Sequence, residues 1–509
     1  MNKSLKTVGY LTVLKIAGLS IGLVYSVLQV RYFGASALVD AFFVATSAVY
    51  LVMSLTQGGQ LAEVFLPEYL KRKEKSGKVA AAALLSAVLN RMMAFLFLGL
   101  CVLYVVAPLL LQIMGPGLEE TYRQLSISIF RVSLILILFN VIASFVNTTL
   151  NAEQVYGRSE VTGIINGTIS ITILVLFYKT LGIWVLIYAL LAGKLVEFVV
   201  GLFFLYRIGY KHSFIWRVPG YNLNHFFSIL FTTSGYVGAT QVYNIILTAM
   251  ASYLPAGSFA IFKYTQQLSS KTEGIVLGPA STVFFSKFSK KVAEGKEDLS
   301  HFLRTPLIAL GLVAFLQFCF IFLLGDDLLR LLWHEKTMPE SEYAIAYIML
   351  ATNFLGIIFS AVGMVFRKAV VAMHRAKALY TAWTVTQFAC AIYSYIAIAQ
   401  FGVYGLASIP VINMLLMASV SFFTAFRMGL MPFKGQQQSK VTLLKGVGFI
   451  VTGIACAWWI RMIPFGSYPL WQLFLLKGGL LAMVLIVLIL PLFCANIRQV
   501  IESLKKTQG

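Results

Sequence analysis

The sequence predicts an all-α polytopic membrane protein with 14 transmembrane helices. Three observations point to this fold class. Of 509 residues, 59% are hydrophobic and only 12% are charged, and the mean hydropathy is +0.84. Such a composition leaves too few polar side chains to coat a water-soluble globule. Long apolar runs alternate with short basic loops, and the chain partly matches itself after a shift of 219 residues.

Fourteen apolar runs are long enough to cross a bilayer as helices, and we number them as spans 1 to 14. They cover residues 9–31, 38–66, 80–112, 123–150, 158–178, 181–206, 223–250, 255–286, 304–325, 341–366, 378–399, 402–426, 444–464 and 468–495. Span 1 follows MNKSLKTVGY and has no small-residue cleavage motif. We therefore expect a retained helix there and not a signal peptide.

The basic residues indicate how the spans are oriented. Most of the 40 Lys and Arg lie at the termini or in the loops after even-numbered spans. The loops after odd-numbered spans hold few, namely Arg31, Arg123, Lys179, Arg330, Lys336 and Arg461. Because cytoplasmic loops carry the excess of cations, this alternation predicts that both termini are cytoplasmic.

The internal match predicts a duplicated bundle. The shift of 219 residues aligns AFFVAT at 41–46 with AIFKYT at 260–265, and FLPEYLKRK at 65–73 with FFSKFSKKV at 284–292. The shift equals six spans, so we expect two six-helix lobes related by a pseudo-two-fold axis along the membrane normal. The predicted division is an N-lobe at 1–218, a C-lobe at 219–430 and two extra helices within 431–509. The cleft between the lobes is the expected substrate path.

Charged residues inside the spans are the first candidates for function, since an ion at mid-bilayer is costly and seldom faces lipid. Lys263, Gln267 and Lys271 recur every four residues on span 8 and share one helix face. Lys15 lies on span 1. Lys15, Lys263 and Lys271 are predicted to bind an anion, with the alternatives that Lys15 reaches the head groups and that Lys271 pairs with Glu273.

Further candidates for the cavity are Arg91, Arg131 and Gln57, although each arginine has the alternative of bonding backbone carbonyls. Gly58 and Gly59 are a candidate hinge in span 2.

Lys194 and Glu197 are three residues apart on span 6 and predict a local ion pair. Cys101, Cys319, Cys390, Cys456 and Cys494 lie in apolar runs without metal-ligand spacing, so we expect no metal site and no cofactor.

At the level of residues, the chain resembles the MurJ (MviN) lipid II flippases, which belong to the superfamily of multidrug, oligosaccharidyl-lipid and polysaccharide exporters. The resemblance rests on RYFGAS at 31–36, DAFFVA at 40–45, FLPEY at 65–69, GPG at 115–117, residues 274–287 and FGVYGL at 401–406. It covers nearly the whole chain, including the two C-terminal helices.

The resemblance implies that an undecaprenyl-pyrophosphate-linked glycan moves to the outer leaflet of the bacterial cytoplasmic (inner) membrane by alternating access. It also implies a cationic cavity and a groove for the lipid tail formed by spans 13 and 14. The four arginine positions of the family read Leu19, Tyr25, Met53 and Gln267 here. An exopolysaccharide or O-antigen unit, as handled by Wzx-like members, is therefore the alternative substrate.

Other function classes fit less well. The net charge of +21 sits in short loops between apolar runs, so it predicts contact with membrane lipids and not with nucleic acid. A cation-coupled drug exporter would need a deep carboxylate in its first spans, and span 1 has none. A glycan-polymerising enzyme would need acids in a large outer loop, and only the short loop from Gly325 to Glu335 offers them. We expect a monomeric transporter, not an enzyme, driven by a coupling ion or the membrane potential.

Overall fold

A computed structural model of the chain describes residues 2–57, 60–153, 155, 157–219, 221–224, 235–293, 299–334, 338–373, 375–430, 452–463 and 469–484. These residues are organised as α-helices joined by short connections, with one isolated β-bridge between Val218 and Tyr221 in the described ranges. An all-helical architecture is what the long apolar runs predict.

The helices are numbered here in chain order. They are α1 (Asn2–Phe33), α2 (Ala37–Gln57), α3 (Gln60–Met114), α4 (Glu120–Ala152), α5 (Arg158–Leu181), α6 (Trp184–Arg207), α7 (Gly235–Ala251), α8 (Ser258–Ala293), α9 (His301–Trp333), α10 (Glu340–Ala372), α11 (Ala376–Arg427), α12 (452–462) and α13 (Leu470–Val484).

Within the described ranges, nine helices are long and apolar enough to cross a membrane. This result confirms a polytopic membrane protein, while the count of 14 spans stays a prediction. Two of the nine helices contain a break. Gly77 interrupts α3 with φ +82°, and Gly402 interrupts α11 with φ +55°. A straight helix of 52 residues would be about 78 Å long, more than twice the hydrocarbon thickness. The break at Gly402 therefore divides α11 into two segments, each of spanning length.

The turn at Gly402 is very tight. A side chain added to the following glycine, Gly405, would overlap the carbonyl oxygen of Ala397. Tyr393 and Ser408, on the two sides of the break, share a hydrogen bond of 2.8 Å. Glycine is favoured at position 402 because its φ is positive, and glycine is required at position 405 because a Cβ there would overlap the Ala397 carbonyl.

The chain divides into two compact units. The first unit comprises Met1–Ile275 and Tyr380–Ile409, and the second comprises Val276–Leu379 and Pro410–Gly509. The predicted lobes at 1–218 and 219–430, with the extra helices in 431–509, stay a prediction.

In the first unit, α5 and α6 pack closely around a buried polar group. Gly193 lies directly against Asn166 and Ser170, where a Cβ would overlap both side chains. Glu197 accepts hydrogen bonds from Lys194 at 2.7 Å and from Asn166 at 2.7 Å. The predicted pair of Lys194 and Glu197 is confirmed. An acid inside the bilayer region is thereby neutralised, as its desolvation demands.

In the second unit, the C-terminal helices pack on α9. Leu323, Leu324, Ala457, Ile460 and Leu481 form one buried apolar cluster. Beside it, Lys477 of α13 donates a 2.7 Å hydrogen bond to Asp327 of α9, and both side chains are largely buried. The cluster and the ion pair together fix α12 and α13 on α9.

Candidate functional site

The candidate site lies in the first unit, where α1 and α8 run antiparallel against each other. Contacts occur at successive turns: Ser26 donates to Gln267 at 2.9 Å, Gly22 lies against Lys271, and Leu19 lies 3.4 Å from where a Cβ of Gly274 would be. Residue numbers fall along α1 as they rise along α8, in steps of three or four. Each helix therefore presents one continuous face to the other.

Lys271 is held at the centre of this contact. Its ammonium donates hydrogen bonds to the carbonyl oxygen of Gly22 and to the hydroxyl of Ser26. A Cβ at Gly22 would lie 3.4 Å from Cε of the lysine, so the glycine lets the long side chain lie along the backbone of α1. The cation is thus positioned by neutral oxygen acceptors.

Lys263 lies two turns closer to the start of α8 and is half-buried. Its ammonium sits 5.0 Å from the ring centroid of Phe259, which is a cation–π contact. In the described part of the chain, neither Lys263 nor Lys271 forms an ion pair. The predicted helix face therefore carries two cations without a carboxylate partner, with Gln267 between them.

Lys15 is not brought to this contact. It is exposed on α1, seven residues before Gly22, which is about 10 Å along the helix axis.

Arg91 and Arg131 hold neighbouring backbone. Arg91 donates to the carbonyl of Trp216 at 3.0 Å and to the side chain of Asn224 at 2.9 Å. Arg131 donates to the carbonyl of Tyr104 at 3.2 Å and lies over that tyrosine ring. Both arginines are therefore engaged by the protein itself.

The remaining candidates are at the end of α2. Helix α2 ends at Gln57, whose side chain is outside the described residues, as are Gly58 and Gly59.

Asp40 is a residue that sequence reasoning missed. It is buried at the start of α2, and its two oxygens accept hydrogen bonds from the backbone of Gly257 at 2.6 Å and Ala260 at 2.7 Å. Gly257 directly precedes α8 and Ala260 lies in its first turn, where an acidic cap satisfies free N–H groups and complements the helix dipole. The one signal in the sequence is an acid at the start of an apolar run.

Loop contacts reinforce this cap. The amide of Gly117 donates to the hydroxyl of Ser252 at 2.9 Å, and a Cβ at Gly117 would overlap the carbonyl of Ser252. Tyr264 donates to the carbonyl of Gly34 at 3.3 Å. Under the predicted topology these loops are all on the outer side, so that end of the first unit is closed.

Comparison with known proteins decides the family. The family model described as "Lipid II flippase MurJ" matches residues 29–495. The chain belongs to the MurJ family. The MurJ resemblance seen in the sequence is thereby confirmed.

Two curated relatives within the MurJ family carry the name "Probable lipid II flippase MurJ". The protein of Buchnera aphidicola subsp. Acyrthosiphon pisum is 26% identical over 282 residues, which is 54% of this chain and 55% of that protein. The protein of Thermotoga maritima is 23% identical over 333 residues, covering 64% of this chain and 66% of that protein. The alignments thus span between half and two thirds of these relatives.

Solved structures show the fold. A lipid II flippase MurJ in an inward closed conformation matches with a TM-score of 0.81 and 18% identity, covering 96% of this chain and 99% of that one. An inward-facing multidrug resistance MATE transporter of the MOP superfamily matches with a TM-score of 0.68 and 16% identity, covering 82% and 94%. The chain therefore has the fold shared by MurJ and MATE transporters.

Proposed function

We propose that this protein is a flippase, which moves an undecaprenyl-pyrophosphate-linked saccharide from the cytoplasmic to the outer leaflet by alternating access. The observation that carries the proposal is the pair of lysines on the face of α8, in a chain of the MurJ family. These cations have no carboxylate partner among the residues that the structure describes, and such a pair inside a membrane protein suits an anionic substrate. The curated relatives are named as probable lipid II flippases.

The pyrophosphate is the group that this face recognises. Lys263 and Lys271 are eight residues apart, about 12 Å along the axis of α8, with Gln267 midway. A pyrophosphate bound near Lys271 would replace the neutral oxygens of Gly22 and Ser26 with charged ones, which form stronger hydrogen bonds to an ammonium. Lysines act here as point charges, without the two-pronged geometry of arginine.

The closed outer end of the first unit supports an inward-oriented state, which receives substrate from the cytoplasmic side. The cap by Asp40 and the contact of Gly117 with Ser252 are the interactions that outward opening would have to release. Alternating access then requires that substrate binding compensates for their loss.

Two lipid-linked glycans are candidate substrates, lipid II and a related repeat unit. None of the four family arginine positions holds an arginine: they read Leu19, Tyr25, Met53 and Gln267. An exopolysaccharide or O-antigen repeat unit linked to the same lipid is the second candidate, because it presents the same pyrophosphate with a different sugar.

The finer architecture belongs to the same proposal. It comprises fourteen spans in two six-helix lobes with two extra C-terminal helices, and cytoplasmic termini in the inner membrane. The transporter acts as a monomer and is driven by a coupling ion or the membrane potential. The nine apolar helices among the described residues support the multi-pass part of this proposal.

The experiment measures the leaflet distribution of labelled lipid II and of a labelled lipid-linked repeat unit in vesicles that contain the purified protein. We expect Lys263→Ala and Lys271→Ala each to slow flipping of the preferred lipid about 10-fold or more, since a hydrogen bond to a charged group contributes about 1.5–3 kcal/mol. Lys71→Ala removes an exposed lysine of α3 and is the control.

Wild-type flipping rates in both Lys263→Ala and Lys271→Ala would refute the role of the lysines. Export of a cationic drug driven by a pH gradient, with no flipping of either lipid, would refute the flippase itself.

A further inference from the structure

A cavity of about 370 Å³ lies in the first unit, away from the contact between α1 and α8. Its walls are α3 on both sides of the break at Gly77, the end of α4, and the segment that follows α6. The predicted topology puts all three walls on the cytoplasmic side. The cavity has no part in the proposed flipping path.

The cavity has an excess of positive charge. Glu153, the one carboxylate among the described lining residues, already accepts hydrogen bonds from Lys73 at 2.9 Å and from Tyr69 at 3.0 Å. Lys78 and Lys211 also line the cavity, are exposed, and form no ion pair in the described part of the chain. Because Lys73 balances Glu153, the two remaining lysines are available to an anion.

The rest of the lining is mostly apolar. Val79, Ala82, Ala83 and Ile208 form a wall beside the lysines. Tyr210 is a neutral phenol at physiological pH, and burial raises its pKa further, so this side chain adds no opposing charge. A ligand that fits both parts of the lining carries a negative head and an apolar neck.

The level of the cavity in the membrane favours a lipid as its ligand. Phe214 and Trp216, in the segment that follows α6, are 86% and 51% exposed. The segment is fixed on α3, where Asn90 donates to the carbonyls of Ser213 and Ile215, each at 3.0 Å. An exposed tryptophan next to cations, as Trp216 is, is typical of the level of the lipid head groups. A head group can therefore enter the cavity from the bilayer.

We propose that this cavity binds the phosphate head group of an anionic glycerophospholipid from the cytoplasmic leaflet, with Lys78 and Lys211 as the phosphate ligands. The apolar wall receives the start of the acyl chains. The site is separate from the flipping path, so its occupancy is measured independently of transport.

The test is a native mass spectrometry titration of the full-length protein in detergent with phosphatidylglycerol. In the double variant Lys78→Gln/Lys211→Gln we expect the affinity to fall about 30-fold, since each lysine near an anionic surface contributes roughly a factor of five. Lys71→Gln/Lys75→Gln removes the same charge from exposed positions of α3 outside the cavity. This control is expected to change the affinity by less than about threefold.

Two further arms identify the ligand. Ala83→Trp fills the cavity without changing its charge and is expected to weaken binding as strongly as the double variant. Phosphatidylcholine with the same acyl chains is expected to bind at least about 10-fold more weakly than phosphatidylglycerol.

Equal losses in the two double variants would overturn the site, because binding would then follow overall charge alone. Displacement of the lipid by millimolar inorganic phosphate would overturn the assignment to a lipid in favour of a free phosphate compound.

Discussion

The cap on α8 by Asp40 leads to a quantitative prediction. In Asp40→Ala the backbone amides of Gly257 and Ala260 lose the carboxylate oxygens that accept their hydrogen bonds at 2.6 and 2.7 Å, and Asp40 is buried. An unsatisfied buried amide costs about 1–3 kcal/mol. Because water partly replaces the carboxylate once the site opens, we take about 2 kcal/mol for the pair, which is roughly a 30-fold increase in local opening.

The assay is hydrogen exchange of the peptide that covers residues 255–262, followed by mass spectrometry in nanodiscs. We expect exchange of these amides to be about 30-fold faster in Asp40→Ala and moderately faster in Asp40→Asn, which retains one acceptor oxygen. Thr46→Val is the control, since among the described residues its hydroxyl bonds the carbonyls of Phe42 and Phe43 within α2 and no group of α8. Unchanged exchange at 255–262 in Asp40→Ala would refute the argument that the cap closes this end.

Two further predictions concern packing and charge. Gly117→Ala is expected to destabilise the closed outer end by about 1–3 kcal/mol, because its Cβ would overlap the Ser252 carbonyl. Gly99→Ala is the control and should change stability little, because there is open space around Gly99. Thermal unfolding in detergent compares the two variants. Lys477→Leu leaves Asp327 buried without its partner and should cost about 3–5 kcal/mol, while Lys477→Leu with Asp327→Leu should recover most of this loss. If the double variant is as unstable as the single one, the pair does not act through its charge.

The fold class follows from composition, because a chain with so few charged residues cannot form the polar surface that a water-soluble protein needs. The local geometry of α8 also follows from the sequence. A helix repeats every 3.6 residues, so Lys263, Gln267 and Lys271 share a face whatever the tertiary structure. The ion pair of Lys194 and Glu197 is local for the same reason.

The partners of the candidate residues were beyond the sequence. Lys271 binds a carbonyl of Gly22, and Arg131 binds a carbonyl of Tyr104. Every residue has a backbone carbonyl oxygen, so no residue pattern predicts which of these oxygens accepts a particular hydrogen bond. Asp40 and its amide partners are separated by more than 200 residues, a distance that only tertiary structure bridges.

The turn at Gly402 joins two segments of α11 within the first unit, residues 380–401 and 403–409. With Gly405 pressed on the Ala397 carbonyl, the connection contains no slack segment that stretches or slides. A change in the direction of residues 380–401 is therefore expected to move residues 403–409 of the same unit with them. Inserting a flexible Gly-Ser linker after Gly402 would let residues 380–401 and 403–409 reorient independently, even if both remained helical.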